Sequence, residues 1–501
     1  MEQMNTRDRY GNTSFNTGLG EVPEYLQYKK KGIQNCVSAK RRVKQDIVTQ
    51  PNLTEGSTFP IKINSQNWID PQSLRLGFNF NFNVAPTTYA KFNDDTGING
   101  LIRNVRVTSN SKNLESISNY NLLQKIQYSC SVSNDWKQAQ GGMLEGFGSY
   151  LTSTNSSITS ASNIINGPPL KPAVSLATAN AYSIALWTGM LGQCHRLLPN
   201  MLLNLVIDLD LAPFLDFCIV DGGATSYQVN NVYIVYDEYV VSDLYRQVFE
   251  EAVRTKGISF DYNTITNSQQ QISGNTTSIS STINDSAKQL LSVYTTIRPS
   301  DIATASFTQG KTAPAGPSTF GPSIIGYYSA TPFVGYCTNL ETIAGKKVIS
   351  AQFKLGTTNY PEFPITKSVD MYQMSLQAMN RANSLQLDMP LSCNKYVGPC
   401  RTFWLGCDFE NSKSSDNSQY SGINTSGHSL QLNVLLSDVK GSPVDAGVVV
   451  PSVETPAGAA GEVGGFGSNG GATNSFFVVD FFLLHSRILS ISPTGGVIVD
   501  Y

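Results

Sequence analysis

From Leu74 the chain alternates: Leu74, Leu76, Phe78, Phe80 and Phe82 are separated by Arg75, Gly77, Asn79 and Asn81. A period of two with one apolar face predicts a half-buried antiparallel strand. Further strands are predicted at 101–108, 202–211 and 229–241, and then at 259–263, 290–297, 347–354, 401–409, 429–436 and 476–491. Three segments change period. Leu122, Leu123 and Ile126 predict a short helix over Asn119–Tyr128, and Val369, Tyr372, Leu376 and Met379 predict another. Ser242 to Lys256 predicts a third, with Ser242 as N-cap and Gly257 at the stop position. Its apolar stripe is read as Leu244, Val248 and Ala252, with Phe249 alongside.

The two halves repeat one another. Gly222-Gly223-Ala224-Thr225 recurs as Gly470-Gly471-Ala472-Thr473. Each copy follows an alternating strand (202–211, 430–436) and precedes an apolar one (Tyr233–Tyr236, Phe481–Leu484). Strand, Gly-rich loop and strand in the same order predict two similar units. The expected division is an N-terminal arm (1–57), a first unit (58–241), a connector helix (242–257), a second unit (258–491) and a tail (492–501). Many short strands with long polar loops, near 137–175 and 300–345, fit an all-β sandwich or jelly roll in each unit.

Composition agrees with strands rather than helical bundles. Charged residues are 14 % of 501, below the usual quarter, and Asn, Ser, Thr and Gly replace them. Net charge is −2, but residues 1–50 hold nine Lys/Arg against five Asp/Glu. The arm is therefore basic and the body mildly acidic, which argues against a general nucleic-acid binder. Lys29, Lys30, Lys31, Lys40, Arg41, Arg42 and Lys44 are the candidate residues for an anionic partner, with a solvated tail as the plain alternative. No segment has the length and apolarity of a signal peptide core or a membrane span.

The chemistry of catalysis is sparse. His195, His428 and His485 are far apart, and His485 reads as a core histidine on an apolar strand. The eight cysteines lack C-x-x-C spacing and read as buried reduced thiols. Gly310-Lys311-Thr312 lacks the first glycine of a P-loop, and Gly465–Gly470 matches G-x-G-x-x-G but opens onto a strand, not a helix. Asp208 and Asp210 share one strand face and read as its solvated side. No cofactor, metal site, small-molecule substrate or enzymatic activity is expected.

The second unit carries a resemblance. Phe403-Trp404-Leu405-Gly406-Cys407-Asp408-Phe409-Glu410 leads to Ser421-Gly422-Ile423-Asn424-Thr425-Ser426, then to Leu430–Val434 and the terminal Phe481–Ile491. This order resembles the closing strands of double jelly-roll major capsid proteins of double-stranded DNA viruses, virophages and polinton-like viruses. The resemblance implies two tandem eight-stranded jelly rolls with long loop insertions, a few short helices and an extended N-terminal arm. It further implies a homotrimer forming a pseudo-hexameric capsomer in an icosahedral virion shell. Partners would be neighbouring capsomers, penton and minor capsid proteins, and an internal membrane or genome reached by the arm. A buried trimer seam would account for the two apolar faces of 476–484.

Two other readings stay open on the residues alone. A carbohydrate-binding β-sandwich surface or spike protein would use Trp136 and Trp187 as stacking platforms, unless they plug the loop bases. A β-sandwich glycoside hydrolase would rest on strand carboxylates.

Overall fold

The structure is a computed structural model. It describes residues 37–47, 52–83, 89–92, 96–147, 180–220 (less 193, 195 and 200–203), 226–299 (less 274–276 and 284–285), 346–379, 404–410, 422–440 and 476–500 (less 494–495), with short pieces at 6–7, 13–14, 150–152 and 174–175.

The first unit has eight principal strands: β1 (Val37–Asp46), β2 (Thr58–Lys62), β3 (Trp68–Phe82), β4 (Ile102–Ser109), β5 (Lys112–Ile117), β6 (Asn180–Ala185), β7 (Leu205–Leu211) and β8 (Tyr227–Val241). The second has β9 (Ile258–Ser273), β10 (Ser278–Ile283), β11 (Leu290–Pro299), β12 (Lys346–Leu355), β13 (Thr358–Ile365), β14 (Leu405–Asp408), β15 (Leu430–Lys440) and β16 (Phe476–Ile491). A terminal strand, β17 (Val497–Asp500), pairs with β16.

One sheet of the first unit runs β6–β3–β8–β1 and the other β2–β7–β4–β5. In the second unit the orders are β14–β11–β16–β9 and β10–β15–β12–β13. Adding eight to each label converts one unit into the other, so each is an eight-stranded jelly roll. Three helices accompany them. Helix α1 (Tyr120–Ser131) follows β5, and α3 (Ser368–Ala378) follows β13 at the same place in its roll. Helix α2 (Asp243–Lys256) joins the rolls.

The alternating pattern of β3 is realised as expected: Leu74, Leu76, Phe78 and Phe80 are buried. Phe80 stacks on Tyr227 and meets Phe92 and Phe217 edge-on, giving the first roll an aromatic core. Burying each large apolar side chain contributes roughly 1.5–3 kcal/mol. On the opposite face of β3 the ring of Tyr233, on the neighbouring strand, lies over Gly77, where a Cβ would fall 2.2 Å from it.

Four sequence expectations are revised. Residues 37–46, read as part of the arm, form β1, which pairs with β8 over most of its length. The pattern is legible afterwards: Val37, Ala39, Val43 and Gln45 alternate inward, but an edge strand covered on one side needs few apolar residues. The start of the 137–175 loop is helical, with a π-turn at Lys137–Gly141 followed by Gly142–Glu145. On α2, the side packed on the roll is Phe249 and Val253, while Leu244 and Val248 are exposed. Phe249 and Tyr245 both meet the ring of Trp68, and this contact sets the helix rotation.

The fourth concerns β16. Val479 to Leu483 are buried on both faces within a single chain. Phe482 lies beside Tyr294, whose hydroxyl donates to Ala378 O of α3, and Asn119 at the start of α1 reaches Asp480. Both faces are thus buried within one chain, the Asp480 and Phe482 face against the start of α1 and the Tyr294–α3 contact, and a seam with other copies is not needed to explain them.

Candidate functional site

The feature that distinguishes this molecule from two rolls on a string is their junction. Ser116 of β5 bridges to Thr266 of β9 in parallel, so one sheet runs on from the first roll into the second: β2–β7–β4–β5–β9–β16–β11–β14. The bridge is a single pair, and side chains complete the joint.

Glu115 is the centre of it. The residue is 0 % exposed. Its Oε1 accepts the backbone N–H of Gly189 and of Ile265, each at 2.9 Å, and its Oε2 accepts that of Met190 at 3.0 Å. One carboxylate therefore ties β5, the turn at Gly189–Gly192 and the second roll together. Burial pushes its pKa up, against the Thr188 hydroxyl and the three N–H donors that favour the charge. Gly189 permits the approach, since a Cβ there would lie 2.5 Å from Asn263 O.

Polar contacts extend the seam. Leu114 O accepts the Tyr262 hydroxyl at 3.0 Å and Arg487 Nη1 at 3.4 Å. Asp480 receives Asn119 Nδ2 from the first roll at 3.2 Å and Gln269 Nε2 from the second at 2.7 Å. Asn119 holds a left-handed backbone (φ 51°), which asparagine tolerates better than most residues. At the surface Arg196 pairs with Asp261 at 2.9 Å.

A second buried carboxylate anchors the base of the long loop. Glu145 accepts Asn99 Nδ2 at 2.7 Å, the Tyr128 hydroxyl at 2.8 Å and Arg75 Nη2 at 3.1 Å. Burial raises its pKa, with these three partners opposing. Trp136 lies against Tyr128 and Phe147, and Trp187 against Tyr128. Trp136 is half-buried and Trp187 is 40 % exposed, and both rings pack against Tyr128.

The sequence-predicted basic residues divide. Lys40 pairs with Asp237 at 2.9 Å, and Lys44 sits 4.1 Å over the ring of Tyr233. Arg41 and Arg42 are exposed on the edge strand β1. Lys29, Lys30 and Lys31 lie outside the described residues, as do His195, the 310–312 and 465–470 motifs, both Gly-Gly-Ala-Thr copies and the 300–345 loop. Asp210 accepts from Thr58 Oγ1 at 2.6 Å and Asn104 Nδ2 at 2.8 Å, so its carboxylate stitches neighbouring strands. His485 is buried in β16, and burial together with Arg487 lowers its pKa to about 3. Cys130, Cys194 and Cys407 are buried. Among the described residues no group of three His, Cys, Asp or Glu is placed to hold a metal ion, and no helix is long and apolar enough to cross a membrane.

Sequence reasoning missed the junction. Glu115 sits on an ordinary short strand, and nothing local marks it as buried against a segment more than a hundred residues away.

No family model and no curated protein matches the chain. Solved structures do. The chain is similar to a quasi-atomic model of the PBCV-1 virus capsid, with a TM-score of 0.55 at 13 % identity, covering 95 % of this chain and 100 % of that one. It is similar to the structure of the Sputnik virophage, with a TM-score of 0.52 at 10 % identity, covering 96 % of this chain and 92 % of that one. Two eight-stranded rolls in tandem, joined edge to edge, give this chain the double jelly-roll fold of those capsid structures.

Proposed function

We propose that this chain is a major capsid protein, assembling as a homotrimer whose six rolls form a pseudo-hexameric capsomer of an icosahedral virion shell. The observation that carries the reading is the junction. Two equivalent rolls are fixed side by side by a continuous sheet and a buried carboxylate, which makes one chain two of the six near-equal blocks of such a capsomer. The likeness to capsid structures over nearly the whole chain supports it. So does the use of buried acids as structural ties, with Glu115 and Glu145 each held by three donors. Neighbouring capsomers, penton proteins and minor capsid proteins are the partners of such a tile. The basic segment with Lys29, Lys30 and Lys31 has an anionic partner at the inner face of the shell, a lipid layer or the genome.

Size-exclusion chromatography with light scattering tests the proposal. The expected mass is that of three chains, and electron microscopy of concentrated protein is expected to show hexagonal blocks. A monomer that persists at high concentration overturns it.

A further inference from the structure

Helix α2 has a second apolar side. Successive residues of a helix are turned by about 100°, so Leu244, Val248 and Ala252 fall on one stripe, away from Phe249 and Val253, which pack on the roll. This stripe faces outward: Leu244 is 74 % and Val248 58 % exposed, and Ala252 is exposed with them. No described element covers it. The helix is also polarised in charge, with Asp243 in its first turn and Arg254 and Lys256 in its last.

The chain brings a segment of its own to this place. β1 starts at Val37, which pairs with Val241, and the next residue, Ser242, caps α2. Whatever precedes Val37 therefore enters the sheet beside the first turn of the helix. Residues 22–31 lie outside the described part of the structure, but their sequence is patterned. Val22, Tyr25 and Leu26 recur at helical spacing, Pro23 stands where a helix starts and Gly32 where one stops. As a helix, residues 23–31 would measure about 14 Å, against about 21 Å for the 14 residues of α2. The connector 32–36 reaches up to about 17 Å.

We infer that residues 22–31 pack antiparallel along the outward stripe of α2 in the same chain, with Val22, Tyr25 and Leu26 on Leu244, Val248 and Ala252. Three observations support this occupant. Each stripe supplies the apolar surface that the other needs to leave water. The connection delivers the segment to the start of α2, and a short connector between neighbouring helices sets them antiparallel. The charges match in that direction alone: Glu21 and Glu24 come to Arg254 and Lys256, and Lys29, Lys30 and Lys31 to Asp243. A parallel arrangement would set the three lysines against Arg254 and Lys256. Consecutive lysines on a helix point about 100° apart, so one reaches Asp243 while the others stay turned outward, toward the anionic partner of the basic segment. Helix α2 then fixes where that segment sits. The contact lies within one chain and does not depend on the assembly proposed above.

The test is thiol labelling and crosslinking in the full chain, with Cys36→Ser removing the thiol of the connector. Val248→Cys is expected to react with a maleimide at least tenfold more slowly than Gln247→Cys, its exposed neighbour off the stripe, and Leu26→Asp is expected to abolish the difference. Leu26→Cys with Val248→Cys in one chain is expected to give a short-bismaleimide crosslink between these two positions, read by peptide mass spectrometry. Differently tagged chains carrying one of the two cysteines each, co-expressed, are expected to give none. So short a segment undocks before the rolls unfold, so the unfolding midpoint stays unchanged in every variant and serves as the check on folding. Three results overturn the inference. Val248→Cys as reactive as Gln247→Cys means a bare face, protection that survives Leu26→Asp means another occupant, and a crosslink between tagged chains means the segment of a second copy. None of them touches the capsid reading, which is decided by the mass of the assembly.

Discussion

The backbone N–H of Ile265 in the second roll points at Glu115 Oε1 in the first, 2.9 Å away in a fully buried joint. Three N–H groups converge on that carboxylate, so it must supply acceptors only. Glu115→Gln keeps the volume but turns an NH₂ toward a donor. Buried donors left facing donors cost about 2–4 kcal/mol. Denaturant unfolding is expected to show a loss of that size; a change under about 0.5 kcal/mol, the level of an ordinary surface substitution, would remove Glu115 from the centre of the joint.

Gly189 is the steric half of the same contact. Gly189→Ala brings a Cβ to 2.5 Å from Asn263 O, so the turn must move away from β9. A cost of roughly 1–3 kcal/mol is expected. Combined with Glu115→Gln it should be less than additive, because both disrupt one interaction. Full additivity in a double-mutant cycle counts against a shared joint.

His485 predicts a pH dependence of stability. Its folded pKa is lowered to about 3 from 6.5. The unfolded chain binds the proton first, so the contribution is whole above pH 6.5 and is lost as pH falls from there toward 3, by at most about 1.4 kcal/mol per pH unit. The raised pKa of Glu115 acts oppositely, favouring the folded state more on the acid side. Urea titrations of wild type and His485→Leu between pH 7 and 5 separate the two, since the variant is expected to lose the slope in that window. Equal slopes for both proteins rule out the histidine as the cause.

Helix α2 offers a paired comparison. Phe249 meets Trp68 with ring centroids 4.5 Å apart, whereas Leu244 is 74 % exposed. Phe249→Ala is expected to cost about 2 kcal/mol and Leu244→Ser to stay within about 0.5 kcal/mol. Thermal unfolding that ranks them the other way would restore the stripe read from the sequence.

Much of the fold was legible in the residues. The strand pattern of Leu74–Phe82 marked β3, and the two Gly-Gly-Ala-Thr copies marked the equivalent connections from β7 to β8 and from β15 to β16. The helical spacing at Leu122–Ile126 and Val369–Met379 located α1 and α3 at matching places in the two rolls. These signals are local: a pleat, a turn and a helical face each impose their period on neighbouring residues. Less was visible where a strand has one covered side, as in β1, or where a helix offers two faces of similar apolarity, as in α2.

The chain by itself therefore determined its class, its duplication and the strands that fill each core, because burial of alternate side chains is written into every strand separately. The tertiary structure alone decided how the rolls meet and which face of each element is free. Glu115 on β5 is a fully buried tie, whereas Phe363 on β13 is 70 % exposed. Their surroundings differ because β9 lies beside the β5 edge of the first roll, while among the described residues β13 ends its sheet, a matter of packing between distant segments that no local period records.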